Sequence, residues 1–233
     1  MQEQIDRLNK EVEGFSSQEV LAYLSGAIDG KICFATSLGA EDQVLSFMLY
    51  EEKLTDIDVF TLDTGRMFQE TYDILERTIA RYKTKIDILS PDKDELEALV
   101  NDKGINLFYE SIENRKECCK VRKINPLKRK LQNYDAWIVG LRKEQSVTRT
   151  ELKTFEWDEA NQIIKINPLA NWTEKEVWNC IKKNTIPYNK LHDNGFPSIG
   201  CAPCTKAVGK GEDVRSGRWW WENPEFKECG LHK

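Results

Sequence analysis

The sequence predicts an α/β protein: a doubly wound, mostly parallel five-stranded sheet followed by a mobile C-terminal tail. Three observations carry this. Short apolar runs alternate with stretches of helical spacing over the first hundred residues or so. Small-residue or polar loops stand at the carboxyl ends of several runs, and regular periodicity fades after Pro187. At 233 residues and 40% hydrophobic content, the chain fits one large domain with short appendages. The expected divisions are N-terminal helices over 1–30, a main body over 31–218 and a tail over 219–233.

Residues 2–28 read as two helices, the second capped by Ser16-Ser17-Gln18-Glu19, with Val20, Leu21, Leu24 and Ile28 on one face. Lys31 to Thr36 is suited to a buried strand. It breaks at Ser37-Leu38-Gly39-Ala40-Glu41-Asp42, and Val44, Leu45, Met48 and Leu49 then restore helical spacing. Strand, small-residue loop and helix together make an anion cradle of backbone N–H groups. The loop lacks the G-K-[ST] ending of a Walker A motif. A second strand, Ile57 to Leu62, runs into Asp63-Thr64-Gly65-Arg66, and a helix follows to about Arg81. Ile86 to Leu89 is a third strand, and Ser90-Pro91 starts a helix with a cap and a first-turn proline. Ala136 to Gly140 is a fourth strand, ending in a polar loop from Leu141 to Ser146. Ile163 to Ile166 is the fifth, at an edge, and Thr173-Glu174-Lys175-Glu176 caps a helix to about Lys183. In such sheets ligands bind beyond the carboxyl ends of the strands.

The net charge of −5 gives no general attraction to nucleic acid or anionic membrane, and no run approaches the length of a membrane span. Met1 to Gly14 lacks a signal-peptide core, so the reading is cytoplasmic. Seven cysteines in a reducing compartment point to metal or redox chemistry rather than structural disulfides. Cys118 and Cys119 are adjacent, within a basic stretch over 115–130, and Cys201 and Cys204 form a C-x-x-C. Four thiolates can close one zinc site or one iron–sulfur cluster. Adjacent cysteines fit a single tetrahedral ion poorly, because neighbouring side chains diverge. A [4Fe–4S] cluster, one per chain, is favoured over zinc, with the surrounding cations offsetting its negative charge. Cys229, in Glu228-Cys229-Gly230-Leu231-His232, stands after a Trp219-Trp220-Trp221 run and an Asn223-Pro224 turn signal. A thiol there, with His232 three residues on, reads as a nucleophile.

Together SLGAEDQV, LDTGR, ECCKVRKINPL, GLRKEQSVTR, the GCAPCT to GRWWW block and the terminal ECGLH resemble the adenylyl-sulfate (APS) reductase family, in its bacterial, cluster-containing branch. The resemblance runs from about Ile32 to His232. It implies a fold of the PP-loop adenine nucleotide hydrolase-like type. The implied activity is thioredoxin-dependent reduction of APS to sulfite and AMP through a cysteine thiosulfonate, in assimilatory sulfate reduction and cysteine biosynthesis. Thioredoxin, or glutaredoxin, would be the electron donor, and the family leans toward a homo-oligomer. Neither nucleic acid nor membrane is an expected partner. The related PAPS reductases share the fold and tail but typically lack the paired cysteines; a PAPS or dual-substrate reductase is the nearest alternative. A PP-loop ligase or sulfurtransferase using ATP is more distant, because SLGAEDQ departs from the SGGxDS loop of those enzymes.

By the same resemblance, Ser37, Gly39, Glu41 and Asp42 belong to the nucleotide loop. Leu62, Asp63, Thr64, Gly65 and Arg66 complete the substrate pocket with Gly140 and Arg142. Cys118, Cys119, Cys201 and Cys204 map onto cluster ligands, and Lys123 onto the lysine between cluster and substrate. Arg215 and Arg218 map onto sulfate and phosphate contacts, Cys229 onto the nucleophile and His232 onto the histidine beside it.

Overall fold

A computed structural model describes residues 1–145, 151–209 and 211–223. In chain order the elements are α1 (Gln2–Glu11), α2 (Ser17–Ala27), β1 (Ile32–Ala35), α3 (Ala40–Glu51), β2 (Ile57–Leu62) and α4 (Gln69–Tyr82). Then come β3 (Asp87–Leu89), α5 (Lys93–Lys103), α6 (Ile112–Cys119), α7 (Asn125–Leu131), β4 (Ala136–Ile138), β5 (Phe155–Asp158), β6 (Ile163–Ile166) and α8 (Glu174–Lys183).

The α/β class is borne out, but the sheet has six strands, in the order β3-β2-β1-β4-β6-β5. β1 runs parallel to β2 and β4, β4 runs parallel to β6, and β5 closes the edge antiparallel to β6. The additional strand is Phe155-Glu156-Trp157-Asp158, so Ile163–Ile166 lies one place inside the edge. Two charged residues among four hid it from a search for apolar runs. In the fold Glu156 is spanned by Lys165 at 3.0 Å, directly across the ladder. Central β1 and β4 read as unbroken apolar runs because they are buried, as parallel strands usually are. Both capping boxes form, Ser16 with Glu19 and Thr173 with Glu176. The cap of α5 is Asp92, not Ser90: its carboxylate accepts from the amides of Asp94 and Glu95.

The chain divides into two compact units. The first comprises Met1–Thr61, Asp73–Asp87 and Leu131–Asn189; the second comprises Leu62–Tyr72, Ile88–Lys130 and Lys190–Lys233. In the first, Ile5, Leu8, Val20, Leu21 and Leu24 join Phe34, Val44, Leu45, Ile138 and Ile166 in one core. The N-terminal helices also finish the sheet edge. Asn9 of α1 donates to the Phe155 carbonyl at 2.9 Å and accepts its amide at 3.0 Å, so one side-chain amide pairs the outer strand as another backbone would.

In the second unit, the basic stretch after α6 is wound as a π-turn, Lys120–Ile124, with the Asn125 amide reaching back to the Lys120 carbonyl. Pro126 is the physical cause. It has no N–H to give, and its ring crowds the carbonyl four residues back, so the helix widens before α7 continues.

Candidate active site

In the first unit the sheet order reverses between β1 and β4, the usual position of a ligand crevice in this fold class. The loop after β1 and the loop after β4 meet there through Asp42. Its carboxylate accepts from the Ser37 amide at 2.6 Å and the Ser37 hydroxyl at 2.5 Å, and from the Gly140 amide. A Cβ at position 140 would stand 2.1 Å from Asp42 Oδ1, so only glycine fits. Leu38 takes a left-handed φ of 62° and is fully buried, a backbone strain that the loop holds in place. Gly39 caps α3 and, having no side chain, leaves its first turn without a side-chain cap among the described residues. Burial pushes the Asp42 carboxyl up to about 6, with the Ser37 and Gly140 donors pulling the other way. Glu41 accepts two bonds from Arg142, from Nε and a terminal nitrogen, each at 2.8 Å. Glu41, Asp42 and Arg142 are thus brought together at the predicted site, with their charged groups engaged on one another and on the backbone.

The second unit gathers the remaining predicted residues within the described range. Cys118, Cys119, Cys201 and Cys204 line one pocket with Lys123, Arg115, Arg122, Arg218 and Trp219. Arg115, Cys118 and Cys119 are three and four residues apart, which puts them on one face of α6. The π-turn then brings Arg122 and Lys123 to the same pocket. Burial raises the Cys118 thiol, partly offset by Arg122, and pushes Cys204 up to about 12. At Cys201 burial opposes ionisation but is outweighed by Lys123, the Thr64 hydroxyl, Arg218 and Arg122, so that thiol is lowered.

The loop after β2 closes over the same place. Gly65 has φ +69°, its amide bonds Asp63, and the Thr64 hydroxyl lies 3.2 Å from Cys201 Sγ. Arg122 donates to the Thr64 carbonyl at 2.6 Å. Arg66 is tied to Ile105 and Asn106, and Asp63 accepts from Tyr72 at 2.9 Å. Arg218 is buried against Ser198 and the Trp219 ring, while Arg215 is half-buried on the turn that precedes it. Cys229 and His232 lie outside the described residues.

Two residues that the motif reading did not single out belong here. Arg115 is fully buried, and Glu222 meets it through two bonds, at 2.9 and 2.7 Å. The basic stretch advertised a charged surface, and nothing local to Glu222 signalled burial. The three-and-four spacing from Arg115 to the paired cysteines was the available clue.

The chain matches the phosphoadenosine phosphosulfate reductase domain over residues 31–207. It belongs to that family. The adenosine 5'-phosphosulfate reductase of Allochromatium vinosum is 54% identical over 215 residues, covering 92% of this chain and 83% of that protein. The crystal structure of a phosphoadenylyl-sulfate reductase from Candida auris, a phosphate complex, superposes with a TM-score of 0.77 at 31% identity, covering 89% of this chain and 98% of that one. Yeast FAD synthetase shares the fold alone, with a TM-score of 0.56 at 17% identity, covering 88% of this chain and 66% of that one. Fold and family expectations are therefore borne out, and the chain is an enzyme of this family.

The pocket suits an anionic group of several ligands. Among the described residues no three His, Cys, Asp or Glu side chains converge to hold a single metal ion, yet all four paired cysteines face the same space. Arg122 Nε, Arg218 Nε and the Trp219 indole nitrogen are buried beside it without a hydrogen-bond partner among the described residues. Donors left unmet around thiols are what a thiolate-held cluster, with its sulfide acceptors, would satisfy.

Proposed function

We propose that this enzyme reduces adenosine 5'-phosphosulfate to sulfite and AMP, with a dithiol protein of the thioredoxin or glutaredoxin type as reductant. The observation that carries the reading is the pocket in which the four motif cysteines meet Lys123, Arg122 and Arg218. The name borne by the Allochromatium vinosum protein supports the same substrate.

Backbone N–H groups of the Ser37 to Ala40 loop, with the Gly140 to Arg142 loop beside them, take the nucleotide; Asp63 to Arg66 are assigned to the substrate by motif alone. Arg215 and Arg218 suit the doubly anionic phosphosulfate, because guanidinium presents a fork of donors to oxyanions. The Cys229 thiolate attacks the sulfate sulfur. An S–S bond forms as the bond from that sulfur to the bridging oxygen breaks, and the electron pair leaves with AMP. Lys123 and the two arginines oppose the charge that develops on the leaving oxygens. A thiolate of the dithiol partner then attacks the Cys229 sulfur, sulfite leaves, and the partner's second thiol resolves the mixed disulfide. His232 favours the ionised form of Cys229.

Cys118, Cys119, Cys201 and Cys204 would hold one [4Fe–4S] cluster, which when bound supplies a fixed charge that tunes the field around the sulfate. We place the reaction in the cytoplasm, where thiols remain reduced, as a step of assimilatory sulfate reduction toward cysteine. No disulfide joins the six described cysteines. Residues 31–218 then form the nucleotide- and cluster-binding body, and 219–233 the tail that carries the nucleophile.

Likeness to the Candida auris structure favours a second reading, in which the 3'-phosphorylated nucleotide is also accepted. Anaerobically purified protein mixed with APS and no reductant should gain the mass of one SO₃ group on Cys229, removable by reduced thioredoxin. Repetition with PAPS ranks the two nucleotides. No mass gain from either on cluster-loaded protein would defeat the reductase reading.

A further inference from the structure

The buried ion pair in the second unit takes no step in the chemistry just described, although its Arg115 also lies against Cys119 in the pocket wall. Arg115 and Glu222 are 0% and 2% exposed at their side chains, 107 residues apart in sequence and joined by two parallel bonds. Trp219 lies between two guanidiniums, with Arg115 and Arg218 each 4.7 Å from the ring centroid. The Glu222 amide closes onto the Trp219 carbonyl at 2.8 Å, and the Trp219 amide onto the Cys204 carbonyl at 3.1 Å. Trp219 itself holds a left-handed φ of 41°, a conformation an aromatic residue adopts only when its surroundings enforce it.

Two apolar side chains at 115 and 222 would bury as well and avoid the cost of desolvating two charges. What they would lack is direction, since a guanidinium and a carboxylate joined as a fork fix each other's position and plane. That direction is imposed on the chain a short way ahead of Cys229. Cys229 is the seventh residue after Glu222, which limits it to about 25 Å from this point even when fully extended.

We propose that Arg115 and Glu222 are a positioning pair that roots the Cys229-bearing segment, so that the effective concentration of the thiol at the substrate sulfur depends on this buried fork. The inference rests on the assignment of Cys229 as nucleophile. Its signature is a slowed first step with unaltered substrate binding, because neither residue is needed to hold the nucleotide.

Two variants test it in cluster-loaded protein. E222D keeps the charge but shortens the reach to one bond, and E222Q keeps the reach but puts a donor where one of the two acceptors stood, so the fork is broken while Arg115 stays beside the pocket. Each is measured for iron per chain, APS affinity by equilibrium binding, and the single-turnover rate of SO₃ transfer to Cys229. The expected result is unchanged iron, APS affinity within about twofold, and transfer slowed about ten- to a hundredfold in E222Q, less in E222D. A transfer rate equal to wild type in either variant overturns the proposal. So does a loss of affinity that matches the loss of rate, which marks a merely structural pair. If the wild-type protein forms no Cys229 adduct, the nucleophile assignment fails instead, and the two failures are told apart in one experiment.

Discussion

Asp42 shows how much one residue can decide. Three donors from two loops converge on its carboxylate, and burial still holds its pKa near 6. The sign follows from proton binding. A folded-state value raised above 3.8 means that the folded protein binds more protons than the unfolded chain between those two values. This group's contribution to stability therefore falls as pH rises through about 6 and is greatest below the unfolded value. The difference in stability between wild type and Asp42→Asn, followed by denaturant titration from pH 4 to 8, should decline across that window. Gly140→Ala places a methyl against the same carboxylate and should weaken APS binding at least about tenfold, measured calorimetrically. Lys123→Ala should slow SO₃ transfer to Cys229 more than it weakens binding, because its charge matters most as the leaving oxygens become negative. The reverse pattern would remove Lys123 from that role. The family resemblance points to all three residues, and the loops that carry Asp42 and Gly140 also stand at strand ends. That Glu41 would be engaged by Arg142 was not visible, because the two are 101 residues apart.

At the scale of elements, the π-turn is the local device that matters most. Pro126→Ala restores an N–H and lets the helix tighten, rotating Lys123 and Arg122 away from the face that carries Cys118 and Cys119. Iron per chain and the brown chromophore should fall, while α-helix content by circular dichroism does not. Capping residues supply the opposite case. Thr173→Ala removes one half of a capping box on α8 and should cost about 1 kcal/mol, lowering the melting temperature by roughly 2–4 °C. Both capping boxes could be read directly because they are local, four residues long and chemically distinctive. The strand Phe155–Asp158 could not, because its identity comes from partners: Ile163–Ile166 across the ladder and Asn9 at the open edge.

Across the whole molecule the two units divide the labour by chemistry. The first offers backbone donors and a buried acidic clamp at the reversal of the sheet, and the second concentrates thiols and cations. Arg115, Arg122 and Arg218 are all buried around the four-cysteine pocket, and among the described residues only Arg115 is paired with a carboxylate, that of Glu222. Removing the proposed cluster by a chelator under oxidising conditions should leave that concentration of positive charge uncompensated. Limited proteolysis with mass spectrometry should then show new cleavage within 62–72, 88–130 and 190–223, ahead of the first unit. Protection of those segments in stripped protein would mean that the pocket does not depend on an anionic occupant.

By itself the sequence determined the α/β class, the parallel core, both capping boxes, the motif loops at the strand ends and the family. Each of these is written in residues close together in the chain or in periodicities of two and 3.6. Only the tertiary structure decided the sixth strand, the π-turn at the cysteine pair, the meeting of Asp42 with Gly140, and the burial of Arg115 against Glu222. These depend on residues about 100 apart, or on how a proline deforms the helix before it. A charged side chain reads as exposed until the fold brings it a partner.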